Sequence, residues 1–116
     1  MARVVAFIPD LLFGSNVLGS LGAAGHDVVL VSDADALRRE LAGAQILVVD
    51  LTADAAERIA QVGAIGEPAV KTLAFYSHVE QEVRAQAEQA GFDLVVPRSR
   101  VAREGAALVA RLLSGG

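Results

Sequence analysis

Short apolar runs alternate along the chain with longer segments in which apolar residues recur at helical spacing. The short runs are rich in Val, Ile and Leu, which is typical of strands buried on both faces of a parallel sheet. We predict strands over residues 3–9, 27–31, 45–50, 70–76 and 92–96. The longer segments predict helices within residues 11–25, 32–43, 52–63, 79–90 and 101–113.

This alternation determines the expected architecture. Strands that alternate with helices of this length form a parallel sheet with helices on both faces, joined by right-handed crossovers. Two strand orders compete: 2-1-3-4-5, and the 3-2-1-4-5 order of half a dinucleotide-binding sheet. Five strands within 116 residues favour the first order. We therefore predict an α/β, flavodoxin-like three-layer sandwich, formed as a single domain over residues 1–116 with five parallel strands and five helices.

Capping and turn residues give the expected ends of two helices. Ser15 or Asn16 is expected to cap the first helix, because short polar side chains accept hydrogen bonds from the first turn. Thr52 or Asp54 is expected to cap the third helix in the same way, and Gly63, Gly66 and Pro68 are expected to end it.

Composition and charge narrow the class of protein. The net charge is −4 and the basic residues are mostly scattered, so we expect no nucleic-acid partner. The main local cluster of basic residues, Arg98, Arg100 and Arg103, is expected to lie in a loop and the first turn of a helix, with contact to an anion as the alternative. The sequence contains no Cys, which excludes disulfides and thiolate metal sites. No apolar run approaches the roughly 18–20 residues of a membrane span, and no signal peptide is evident. A cytoplasmic location without membrane attachment is the expectation.

Polar residues follow the predicted strands where each one leaves the sheet. Asp10 follows the first strand, Asp50 ends the third, Ser77 and His78 end the fourth, and Arg98 follows the fifth. In open parallel sheets, ligands bind outside the carboxyl ends of the strands, near the point where strand order reverses. We expect these side chains to share one crevice. The alternative is that both acids cap the following helices or are solvated.

The motifs around these residues resemble those of one signalling family. Asp50 stands in Val-Val-Asp-Leu-Thr, Ser77 in Phe-Tyr-Ser-His and Asp10 in Phe-Ile-Pro-Asp. Over essentially its whole length, the chain resembles the receiver domain of bacterial two-component response regulators. The resemblance implies that Asp50 is the phosphoacceptor and that Ser77 is the hydroxyl residue that ends the fourth strand in receivers. It also implies that Asp10, Asp50 and the Thr52 carbonyl would hold Mg²⁺, the one cofactor expected.

Three departures from the receiver pattern indicate that the chemistry is altered. Pro9 stands where receivers carry a second acid. Pro97 stands where receivers carry a Lys, and Arg98, one position later, is the candidate cation of the site. Residues 51–54 replace the usual Pro- and Gly-rich loop. We therefore predict a degenerate, pseudo-receiver domain that regulates through protein contacts, without normal phosphoryl transfer, and we favour a role that is not enzymatic.

Two other functions remain open. One is a small-ligand-binding or enzymatic domain that uses the crevice between Asp10 and Asp50. The other is a phosphorylatable receiver with an atypical site, in which Asp50, Ser77 and Arg98 carry the reaction.

The last predicted helix carries more apolar residues than contact with one sheet requires, namely Val101, Ala102, Leu108, Val109, Leu112 and Leu113. Surplus apolar surface suggests an interface. Receivers often pair through their fourth and fifth helices and fifth strand. The resemblance therefore implies a protein partner or a homodimer through the last helices.

Overall fold

Strands and helices alternate along residues 2–77 and 79–115, the parts of the chain that the computed structural model describes. The strands are β1 (Arg3–Phe7), β2 (Asp27–Val31), β3 (Ile46–Asp50), β4 (Lys71–Tyr76) and β5 (Leu94–Pro97). The helices are α1 (Leu11–Ala23), α2 (Ala34–Glu40), α3 (Ala55–Ile65), α4 (Gln81–Gln89) and α5 (Arg98–Leu113). All strand pairs are parallel, in the order β2-β1-β3-β4-β5. The predicted fold class and strand order are confirmed.

The central strand β3 is buried along its whole length. Successive side chains of a strand point to opposite faces of the sheet. Ile46 and Val48 accordingly pack beneath α1 and α5. Leu47 and Val49 pack into the core on the opposite face, beneath α2, α3 and α4. This double burial explains the uninterrupted apolar run, and it places the Asp50 carboxylate at the end of the strand between β1 and β4.

Helix α1 begins at Leu11, before either residue that was expected to cap it. Asp10 is the N-cap, and its Oδ1 accepts hydrogen bonds from the backbone N–H groups of Leu12 at 3.0 Å and Phe13 at 3.1 Å. The prediction that Ser15 or Asn16 caps this helix is wrong, because both lie inside it.

Helix α3 differs from its prediction at its beginning, and at its end it agrees at Gly66 but not at Gly63. Asp54 does precede the helix, but it has a left-handed backbone with φ of 51° and makes no side-chain cap. The Thr52 hydroxyl is instead directed to the Asp50 carboxylate. Gly63 lies within the helix, which ends at Gly66 with φ of 60°. Glycine adopts this left-handed conformation without a steric penalty from Cβ, so it is suited to a helix C-terminus.

The apolar residues of α5 are mostly used inside the molecule. Val101, Leu108, Val109 and Leu112 are buried, in the core layer shared with α1. Leu113 is 37% exposed. The surplus that suggested an interface is therefore largely core, and pairing through the last helices needs other support.

Within residues 2–77 and 79–115, no helix has the length and apolar character needed to cross a membrane.

Candidate functional site

The Asp50 carboxylate is enclosed at the carboxyl end of β3. The residue is only 3% exposed, which makes it the one buried charged residue in the described part of the chain. Its Oδ1 accepts a hydrogen bond from the backbone N–H of Thr52 at 2.8 Å and another from the Thr52 hydroxyl at 2.5 Å. Two donors therefore fix one carboxylate oxygen, and they belong to a residue that the sequence had assigned to the site.

Arg58 supplies a cation to the same carboxylate from α3. Its Nη1 donates a hydrogen bond to the backbone oxygen of Asp50 at 2.8 Å and lies 3.8 Å from Oδ2 of that residue. Its Nη2 lies 3.8 Å from Oδ2 of Asp54. The Arg58 side chain is 12% exposed, and its Cζ lies 5.9 Å from the centre of the Phe7 ring. The guanidinium thus joins the end of β3 to the beginning of α3.

Arg58 was not among the site residues predicted from the sequence. The signal available in the sequence was the spacing of Asp54 and Arg58, which are four residues apart, as in an ion pair along a helix. That spacing describes a local and usually exposed contact. The inward contact with Asp50 depends on how α3 packs over the sheet, which residue spacing alone does not specify.

Asp10 and Arg98 form a second ion pair at this edge of the sheet. Asp10 uses Oδ1 to cap α1, and its Oδ2 lies 3.5 Å from Nη2 of Arg98. The Arg98 Cζ lies 4.5 Å from the centre of the Phe13 ring, so the cation also rests against an aromatic face. The two predicted residues Asp10 and Arg98 are therefore brought together. The cation paired with Asp50 is Arg58.

An open cleft of about 640 Å³ lies beside these two ion pairs. Three of the predicted residues line it: Thr52, Ser77 and Arg98. Five further residues that the sequence analysis had not assigned to a site complete the lining: Phe13, Asn16, Glu80, Ser99 and Ala102. The lining includes neither Asp10 nor Asp50, so the cleft is displaced from the crevice expected between those two acids. His78, which was also expected at this edge, lies outside the described residues.

The fit of Mg²⁺ to the predicted ligands can be judged from the groups around each carboxylate. Mg²⁺ requires oxygen ligands directed at one point in a near-octahedral arrangement. One oxygen of Asp50 is held by Thr52 and the other lies beside Arg58, while Asp10 caps α1 and lies beside Arg98. Among residues 2–77 and 79–115, no group of three or more His, Asp or Glu residues is arranged to hold a metal ion. The donor set therefore does not fit a magnesium site.

Comparison with known proteins relates the chain to others through its fold. No protein-family model matches the sequence, and no curated protein matches it. A response regulator from Thermotoga maritima superposes with a TM-score of 0.81 and 18% identity, over 98% of this chain and 98% of that chain. A Francisella response regulator receiver domain gives a TM-score of 0.78 and 13% identity, over 97% and 96% of the two chains.

A third similar structure is a response regulator from Burkholderia pseudomallei that contains a phosphorylated aspartic acid, a calcium ion and citrate. Its TM-score is 0.69 at 17% identity, over 96% of this chain and 72% of that chain. At identities this low, the superpositions establish the fold alone. The chain has the fold of response regulator receiver domains, and at the level of structure the resemblance inferred from the sequence is confirmed.

Proposed function

We propose that this chain is a single receiver-like domain with a signalling or regulatory role. In this domain, Asp50 is held in an internal ion pair with Arg58 and does not undergo normal phosphoryl transfer. The receiver fold, which extends over nearly the whole chain, supports a regulatory role. The fold alone does not oppose phosphorylation, since the similar regulator from Burkholderia pseudomallei carries a phosphorylated aspartate. The local environment of Asp50 does oppose it.

The observation that carries the proposal is the contact of Arg58 with Asp50. A phosphoryl acceptor needs a free carboxylate oxygen, together with cations that stabilise the charge of the transferred group. Here Thr52 holds Oδ1 and the Arg58 guanidinium lies beside Oδ2. A phosphoryl group would add between about 1.5 and 2 negative charges at a residue that is 3% exposed. One guanidinium neutralises the carboxylate of Asp50 but leaves that added charge without a partner.

The missing lysine points in the same direction. Receivers place a Lys where this chain has Pro97, and the neighbouring Arg98 pairs with Asp10. Arg and Lys are not interchangeable at a tight phosphate site, because the guanidinium is a planar fork and the ammonium is a compact point charge. The cations at this edge thus stabilise the unmodified protein, and the unmodified surface is the form we propose to be active in signalling.

Amide chemical shifts in the presence of Mg²⁺ and beryllofluoride, which mimics a phosphoryl group on aspartate, test this proposal. We expect Mg²⁺, with or without beryllofluoride, to leave the amides of Asp50, Leu51 and Thr52 unshifted in the full chain. The matched control is Asp50→Asn, which keeps the size of the side chain and removes the acceptor oxygen. Saturable shifts centred on Asp50 in the wild type and absent from Asp50→Asn would show a phosphorylatable receiver and overturn the proposal.

The proposed output is a contact between the last helices, α4 and α5, and a protein partner or a second copy of the chain. Helix α4 buries only Ala87 among its described residues, and Val79 just before it is 73% exposed. The exposed surface available for such a contact is therefore mainly that of α4 and Val79. Light scattering over a series of protein concentrations up to tens of micromolar tests self-association. We expect the apparent mass to rise with concentration, and a constant monomer mass would leave only a different protein as partner.

A further inference from the structure

We infer that the cleft between α1 and α5 binds a small molecule carrying an oxyanion group, a carboxylate or a phosphate, with Arg98 as the residue that recognises it. The inference goes beyond the proposed function and does not depend on whether Asp50 can be phosphorylated. The cleft measures about 640 Å³. That volume lies within the roughly 300–1,000 Å³ of typical small-molecule sites.

Arg98 is held in position before any ligand arrives. Its Cζ lies 4.5 Å from the centre of the Phe13 ring, and its Nη2 lies 3.5 Å from Oδ2 of Asp10. Asp10 is itself fixed because it caps α1, and Phe13 is fixed because its ring packs 5.0 Å from that of Phe75. Binding an anion would therefore cost little side-chain entropy at Arg98.

Most of the N–H donors of the Arg98 guanidinium are not used in hydrogen bonds to the described residues. Arginine carries five N–H groups in a planar fork that matches the oxygens of a carboxylate or phosphate. Within residues 2–77 and 79–115, Asp10 is the one acid in ion-pair contact with Arg98, and no hydrogen bond from the Arg98 side chain is present. The Arg98 side chain is 46% exposed. Most of its donors are thus available to an oxyanion in the cleft.

Neutral polar side chains from three elements surround the same space. Asn16 lies on α1, Ser77 follows β4 and Ser99 lies in the first turn of α5. None of these side chains makes a hydrogen bond to another residue in the described part of the chain. The Thr52 hydroxyl, by contrast, is occupied by Asp50. Three polar groups without a side-chain partner among residues 2–77 and 79–115, together with one guanidinium, are the kind of sparse polar set that orients a ligand.

The remaining residues that line the cleft indicate which other groups the ligand carries. Phe13 and Ala102 provide apolar wall, which suits a short carbon skeleton. Glu80 also lines the cleft and has no ion-pair partner among the described residues. An unpaired carboxylate favours a ligand that offers a hydroxyl or ammonium donor in addition to its oxyanion. A small hydroxy acid or a sugar phosphate has this combination of groups.

The test is an amide-shift titration of the full chain at constant ionic strength. The probes are inorganic phosphate, glycerol 3-phosphate and lactate, with glycerol as the uncharged control. We expect at least one of the three anions to produce saturable shifts at Asn16, Ser77 and Ser99, and glycerol to produce none. Response to the phosphates alone identifies a phosphate ligand, and response to lactate alone identifies a carboxylate. Failure of all three anions overturns the inference.

Two variants distinguish recognition by Arg98 from a general charge effect. Arg98→Gln removes the fork and should weaken the binding of the responding anion by about tenfold or more, because hydrogen bonds to charged groups are the strong ones. Arg100→Gln is the matched control, since Arg100 lies in the same turn, pairs with Glu104 and does not line the cleft. Equal affinities in the two variants would contradict the inference, provided that both retain the amide spectrum of the folded chain.

The variant Asp50→Asn distinguishes anion binding in the cleft from binding at the Asp50 carboxylate, which the proposed function concerns. The cleft lining does not include Asp50, so this variant should still bind the anion saturably. Loss of anion binding in Asp50→Asn would mean that the anion occupies the acceptor site, and it would overturn the inference. The response to beryllofluoride tests the proposed function independently.

Discussion

Arg58→Ala is expected to lower the free energy of unfolding by about 3 kcal/mol or more, because it leaves the buried carboxylate of Asp50 without its cation. Breaking a buried ion pair by removing one partner typically costs about 3–5 kcal/mol. The hydrogen bonds from Thr52 continue to solvate Oδ1, so we expect the lower part of that range. Urea unfolding followed by circular dichroism measures the change. Such a loss would be a large fraction of the 5–15 kcal/mol that stabilises a typical domain.

A surface arginine on α2 provides the matched control. Arg38 pairs with Asp35 at 3.2 Å, but both side chains are largely exposed. Exposed ion pairs contribute between about 0 and 1 kcal/mol, since water screens them and the side chains lose freedom. Arg38→Ala should therefore change the stability far less than Arg58→Ala. Similar losses in the two variants would show that the contact between Arg58 and Asp50 does not compensate a buried charge.

A double-mutant cycle isolates the pair from the other contacts of Arg58. Replacing a buried ion pair by apolar residues of similar volume is often nearly neutral or stabilising. We expect Asp50→Leu combined with Arg58→Met to be clearly more stable than the sum of the two single losses predicts. Simple additivity would mean that the two residues do not interact, and the proposed function would lose the observation on which it depends.

The fold was predictable because its strongest signals are local. The apolar run of β3 is continuous because both faces of the strand are covered, and that pattern is visible in the sequence. The start of α1 was predicted wrongly because Asp10, Ser15 and Asn16 are all residue types that cap helices. The core residue Phe13 is preceded by Leu11 and Leu12, which are 80% and 77% exposed, so the apolar pattern did not mark where the helix begins. Hydrophobic pattern cannot distinguish an exposed leucine from a buried one.

The candidate site was only partly predictable because its contacts cross between elements. Strand order placed Asp10, Asp50, Ser77 and Arg98 at one edge of the sheet, and three-dimensional packing then divided them. Arg98 lies against Asp10 and Phe13, whereas Asp50 is paired by a residue from α3. Which cation reaches which carboxylate depends on helix rotation and side-chain direction. Neither is encoded in the spacing of charged residues.

Phe75→Ala is expected to cost about 3–5 kcal/mol of unfolding free energy and to disturb the cleft as well. Phe75 is fully buried in β4, and truncating a buried Phe loses its burial energy and leaves a cavity. Its ring also packs 5.0 Å from the Phe13 ring, at a tilt of 52°. Aromatic pairs of this kind add about 0.5–1.5 kcal/mol beyond burial. Urea unfolding measures the loss, and we expect it to equal or exceed that of Arg58→Ala.

The same substitution reaches the cleft through Phe13, because that ring supports the Arg98 guanidinium at 4.5 Å. Without Phe75, the Phe13 ring has room to move towards the sheet, so the amides of Arg98 and Ser99 should shift. Phe92→Ala is the control: Phe92 is only partly buried, packs in the opposite core layer and lines a separate pocket with Ile59 and Val62. It should destabilise the protein less and leave the Arg98 and Ser99 amides in place. Equal shifts in both variants would show that the spectra report general loosening, and that the contact from Phe75 through Phe13 does not position Arg98.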